Sequence, residues 1–125
     1  MREIKFRGKR HNGEWVYGSL VYSNNIDTAI HYEIDEVRRF DWCYVDSDTI
    51  GQFTGLTDKN GKEIYEGDIL EVEGMYAKVV WNKEKASFEY EYLHPTQIAN
   101  TFYEFNMPYL SIVGNIHDNK ELLKY

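Results

Sequence analysis

Alternation of apolar and polar side chains recurs along this chain, and it predicts strands joined by short turns. Glu3 to Gly8 places Ile4 and Phe6 on one face and Lys5 and Arg7 on the other, the pattern of a half-buried strand. Asn12-Gly13 follows, a pair suited to a tight hairpin turn because both residues tolerate positive φ. Glu14 to Tyr22 is apolar on both faces, which predicts a central strand, and Gly18 inside it allows a bend or a close neighbour. Ser23 to Asp27 reads as a polar loop. Thr28 to Ile34 and Phe40 to Val45 read as two further strands, joined by an exposed connection of mixed charge from Asp35 to Arg39.

The centre of the chain, Thr49 to Leu70, reads T-I-G-Q-F-T-G-L-T-D-K-N-G-K-E-I-Y-E-G-D-I-L. Thr49 to Thr54 suits a strand that Gly55 should break, and Asp58-Lys59-Asn60-Gly61 has the chemistry of a turn. Ile64-Tyr65 resume the extended chain. Glu66-Gly67-Asp68-Ile69-Leu70 resembles the entry to an SH3-like barrel, where glycine lets the chain bend before an apolar strand. Beyond it, Leu70 to Glu73, Met75 to Trp81 and Ser87 to Tyr92 predict a three-stranded meander turning at Gly74 and at Lys83-Glu84-Lys85. Phe88, Tyr90 and Tyr92 should point inward and Glu89 and Glu91 outward. His94 to Pro108 is ambiguous: Ile98, Phe102 and Phe105 have helical spacing after Pro95, whereas Thr101, Phe102 and Tyr103 favour a strand. Tyr109 to Val113 should close the sheet, and Asp118 with Glu121 three residues on signals a final helical turn.

The central stretch resembles the core signature of the YopX family, small proteins encoded by phages and prophages. Its signature and turn positions here are Gly51, Gln52, Thr54, Gly55, Asp58, Asn60, Gly61, Glu66, Gly67 and Asp68. Gly114-Asn115-Ile116, with Asn119 and Glu121-Leu122-Leu123, is similar to the family's C-terminal motif, although Lys120 stands where the family has proline. Lys5-Phe6-Arg7 keep the family's opening, and Gly8 and Lys9 depart from it. The resemblance implies an all-β fold of two small barrel-like parts and self-association among relatives, with no established activity. Residues 1–48 would form an N-terminal β unit, 49–66 a strand-turn-strand connection and 67–125 an SH3-like barrel. A short helical insertion and a short C-terminal helical turn would complete it.

Composition adds constraints. With 42% hydrophobic and 28% charged residues, 125 residues suffice for a buried core. Eleven tyrosines favour strands and leave aromatics for interfaces. The single Cys43 excludes an intramolecular disulfide and any Cys-rich zinc site. With no apolar run near the ~18 residues of a membrane span, and no signal-peptide core, the expected setting is the reducing cytoplasm of a bacterial host, away from membranes. The net charge of -7 is uneven: the first ten residues carry +4 and the remainder -11. Lys5, Arg7, Lys9 and Arg10 therefore make a basic arm. It can dock on the acidic body of another copy, contact nucleic acid, or form a plain solvated strand face.

Catalytic and ligand motifs fail on spacing. Gly55 to Lys62 has five residues between its glycines and Glu63 after the lysine, where a phosphate-binding loop needs four and a hydroxyl. Asp58-x-Asn60-Gly61 lacks the first oxygen ligand of a calcium loop. His11, His31, His94 and His117 show no zinc spacing, the serines lack a nucleophile elbow, and Cys43 in its aromatic run reads as inert core. Glu66 with Asp68 is the one carboxylate pair of note, and acids flanking a glycine usually serve a turn. The expected protein is thus a non-enzymatic accessory protein that requires no cofactor or metal and has no small-molecule substrate implied. It would act by self-association or partner binding; nucleic-acid contact through the basic strand is the alternative, and a site assembled only by folding the remaining one.

Overall fold

The computed structural model describes residues 3–23, 27–33, 40–93, 99–102 and 108–123. The chain divides into two compact units, Met1–Phe53 and Thr54–Tyr125. Both are built from antiparallel strands.

The first unit contains β1 (Phe6–Lys9), β2 (Trp15–Ser23), β3 (Asp27–Glu33), β4 (Phe40–Tyr44) and the start of β5 (Asp46–Thr57), in the order β4-β3-β2-β1-β5. Gly13 takes a φ of 92° in the β1–β2 turn, as its sequence requires. One sheet face carries the core: Val16, Ile30 and Val45 are buried, packed by Phe6, Leu20, Tyr32, Cys43 and Ile50. Gly18 sits where a Cβ would collide with the His31 carbonyl of the neighbouring strand, so the close neighbour expected there is real. Ile4 lies before β1 and is 68% exposed, outside the strand the alternation gave it. The connection expected over 35–39 and most of the 23–27 loop lie outside the described residues.

In the second unit the end of β5 is bonded to β6 (Glu63–Tyr65). The sheet beyond it comprises β7 (Asp68–Val72), β8 (Met75–Asn82), β9 (Ser87–Tyr92), β10 (Ala99–Thr101) and β11 (Leu110–Asn115), in the order β10-β9-β8-β7-β11. Ile64, Leu70, Val72, Ala77, Val79, Tyr90 and Leu110 form its core.

Several expectations change here. Gly55 does not end its strand: β5 runs on to Thr57 with Gly55 at φ 87°, because the Thr54 hydroxyl donates to the Ile64 carbonyl and accepts from the Leu56 N–H, holding the irregular segment in the sheet. The inserted helix is absent from Ala99–Thr101, which pair with Glu89 to Glu91 as β10; the edge that β9 offers prevails over helical spacing. Residues 94–98 and 103–107 lie outside the described residues. Glu89 keeps the face opposite Tyr90 that the alternation gave it, but it is 3% exposed there instead of solvated: it accepts from the Asn82 side-chain amide at 3.0 Å and meets Lys85 at 3.7 Å. The last turn is a 3-10 helix over Lys120–Leu123, and Asn119, not Asp118, precedes it. The Asp118 carboxylate instead accepts from the Asn115 amide.

Candidate functional site

The signature residues serve the architecture of the second unit. The Asp58 carboxylate is 6% exposed and accepts three backbone N–H bonds, from Asn60, Lys62 and Ile112, each at 2.9 Å. The first two are the expected turn, with Gly61 at φ 80°. The third reaches 54 residues along the chain, to β11. Since β11 is the edge of its sheet, its outward N–H needs a partner that is not a strand, and Asp58 supplies one while the Lys59 N–H donates to the Leu110 carbonyl. Burial alone would raise the Asp58 pKa, but the three N–H donors and nearby Lys62 outweigh it and hold the carboxyl below its usual range.

Gly67 and Asp68 act similarly. Gly67, at φ 93°, donates to the Val79 carbonyl and accepts from the Ile116 N–H, and the Asp68 carboxylate accepts the Tyr65 N–H at 2.7 Å. Asp68 is 2% exposed, so it and half-buried Glu66 do not form an open acid pair. Asn115 pairs with Asp68 across the sheet and accepts the N–H groups of His117 and Asp118, while Asn119 accepts the Asn115 N–H beneath Gly114. In the first unit Gly51 pairs with Arg7 and Gln52 with Phe6 across β1–β5. The central and C-terminal motifs, far apart in sequence, are one set of clasps.

The basic arm also folds onto its own unit. Lys5 lies 5.2 Å from the Phe53 ring centre, and Arg7 and Lys9 lie 4.8 and 5.9 Å from that of Trp15. Arg7 is only 6% exposed, because its guanidinium lies over the indole instead of extending to water as the alternation suggested. Lys5 also meets Glu3 at 3.5 Å. Arg10 differs, reaching Glu14 only at 3.9 Å and lining a cavity with Trp42 and Tyr44 of β4.

An aromatic face stands out in the first unit. Strand parity puts Trp15, Tyr17, Ser19 and Val21 of β2 on the side away from the core, and the register aligns Val21 with Ala29, Ser19 with His31, Ala29 with Tyr44 and His31 with Trp42. Tyr17, Val21, Trp42 and Tyr44 are 48, 44, 53 and 43% exposed. Trp42 and Tyr44 pack edge to face at 5.0 Å and 83°. Val21, Ala29, His31 and Trp42 line a hollow of about 220 Å³. Around the edge of β4, Trp42, Cys43 and Tyr44 face Arg10, His11 and Asn12 across an open cavity of about 450 Å³. Burial raises the Cys43 pKa, which keeps its thiol protonated. Because Glu14 to Tyr22 is apolar on both faces, the sequence does not say which face of this central strand is open; the available signal is that the outward positions include Trp15 and Tyr17, amphipathic rings that tolerate water. Among the described residues, no group of three or more His, Cys, Asp or Glu side chains gathers to hold a metal, and no helix is long and apolar enough to cross a membrane.

A solved structure, the crystal structure of protein EF1440 from Enterococcus faecalis, is similar to this chain at 25% identity with a TM-score of 0.63, the match covering 99% of this chain and 100% of that one. No curated protein matches the chain. The family model described as YopX protein matches residues 5–124, nearly the whole length, and agrees with the motifs that hold β5, the Asp58 turn and β11 together: the chain belongs to the YopX family.

Proposed function

We propose that this is a non-enzymatic accessory protein of phage or prophage origin that works in the bacterial cytoplasm by self-association through the outer face of its first sheet. The observation that carries this reading is the exposure of Tyr17, Val21, Trp42 and Tyr44 on one face. Contiguous apolar surface of this kind in a soluble chain marks an interaction site. Charge supports a second copy as the occupant: Arg10, which reaches Glu14 only at 3.9 Å, can meet acidic surface on the next copy, whose residues after the first ten carry -11. Two such faces meeting about a two-fold axis bury the same rings twice. The phage origin rests on the family resemblance.

Light scattering at low and high salt tests the reading. A defined oligomer is expected, with Trp42→Glu and Tyr44→Glu together reducing it to monomer while leaving the circular dichroism spectrum unchanged. A monomer at both salts overturns it. One observation favours nucleic acid as a second reading, namely Arg10 beside Trp42 and Tyr44, since cations next to exposed rings suit stacked bases. Binding of single-stranded DNA that weakens steeply with salt would support it.

A further inference from the structure

The cavity at the edge of β4 differs from the flat face in being concave and polar on one side. Its volume of about 450 Å³ is that of a small-molecule cleft. The hairpin wall is held rigidly: the Arg10 N–H donates to the Glu14 carbonyl, the Gly13 N–H to the Arg10 carbonyl, and Asn12 Oδ1 accepts the Glu14 N–H at 3.0 Å. That last bond leaves the Asn12 side-chain NH2 as a donor. The Glu14 contact at 3.9 Å is too long to occupy the Arg10 guanidinium as a hydrogen bond. Opposite, Asp41 accepts the Trp42 N–H at 2.8 Å and Tyr44 braces the indole.

We propose that this cavity seats one purine base of the guanine type, stacked against Trp42 with its O6 and N7 acceptors turned to Arg10 and Asn12. An arginine fork matches that edge in a way a point charge does not, and an exposed indole stacks on any base. The charges of Asp41 and Glu14 act on Cys43 in the cavity lining, so a phosphate seated there would meet two like charges; the neutral base fits better. Guanine comes from two sources, a free nucleotide or an unpaired base in a strand. The inference deepens the nucleic-acid reading, and the base competes with self-association for the Trp42 ring that both use.

The test uses the whole chain, with guanosine, adenosine, cytidine and eight-residue single-stranded DNA with or without central guanines. Tryptophan quenching and protection of Cys43, the single thiol, from alkylation are the readouts. Guanosine is expected to protect Cys43 and to bind at least tenfold tighter than cytidine. Arg10→Gln and Arg10→Lys should each lose that preference by tenfold or more, and Trp42→Ala should abolish protection. Absence of guanosine binding at millimolar concentration, or equal binding by Arg10→Gln in a folded variant, overturns the seat. If DNA without guanine binds as well as DNA with it and Arg10→Gln changes nothing, the seat falls and the nucleic-acid reading stands. If guanosine binds and DNA binds no tighter, the seat stands with a free nucleotide as its occupant and the nucleic-acid reading falls.

Discussion

Replacing Asp58 with alanine removes the acceptor of three backbone N–H groups at once. Their contributions differ with their surroundings. Asn60 and Lys62 are exposed, so their N–H groups turn to water when the carboxylate goes, at about 0.5 kcal/mol each. The Ile112 N–H lies on half-buried β11, and a bond from such a group to a carboxylate contributes about 2 to 3 kcal/mol. The total is about 3 to 4 kcal/mol, a large share of the roughly 5 to 15 kcal/mol that stabilises a domain. Asp58→Asn keeps one neutral acceptor and should lose about half as much. Urea unfolding followed by circular dichroism measures the loss as a lower midpoint at unchanged slope. Amide exchange locates it: protection of Ile112 should fall more than that of Tyr90 in the same unit. A loss below about 1 kcal/mol, with Ile112 still protected, would refute the claim that Asp58 caps the edge of β11.

The same carboxylate makes stability depend on pH. Its folded pKa is below its unfolded value near 3.9, so its contribution is complete above that value and disappears as pH falls through the folded pKa; the stability gap between the parent protein and Asp58→Asn, measured by urea midpoint, should close in acid. Gly18→Ala drives a Cβ into the His31 carbonyl and should cost at least about 3 kcal/mol, with insoluble expression or a midpoint far below that of Gly61→Ala, where a Cβ meets nothing and only the positive φ is strained. Glu73 and Gly74 form the two-residue β7–β8 turn with φ of 51° and 84°, conformations that suit Asn-Gly; Glu73→Asn should raise stability by about 0.5 to 1 kcal/mol, and an unchanged melting temperature would refute the turn assignment. Gly114→Ala meets the Asn119 side chain and should unseat the last 3-10 turn, seen as faster amide exchange at Asn115 and Leu122.

Strand existence was legible wherever a two-residue period was bounded by turn chemistry. The turns at Asn12-Gly13, Asp58 to Gly61 and Glu73-Gly74 each carry a glycine at positive φ, and the extended segments between the turns became β1, β6, β7, β8 and β9. Misreadings came where a long-range partner changed a local rule. Gly55 would break an isolated strand, but the Thr54 hydroxyl and β6 keep it in one; Glu89 would face water, but it is buried where the Asn82 amide and the exposed Lys85 satisfy it. Around Phe102, where helical spacing and strand-forming residues left both readings open, the edge of β9 decided for a strand over Ala99–Thr101.

Sequence alone determined the all-β character and the family, because alternation, turn pairs and the Thr49 to Leu70 motif are local properties that survive without a partner strand. Only the tertiary structure decided what those residues are used for. Asp58 reaches Ile112, and Gly67 reaches Ile116, through backbone donors that no side-chain pattern records. Parity states which side chains share a face but not which face is covered, so the exposure of Tyr17, Trp42 and Tyr44 and the withdrawal of Arg7 onto Trp15 emerge only when the strands are laid side by side. Burial is a property of the packed layer, and a single strand does not carry it.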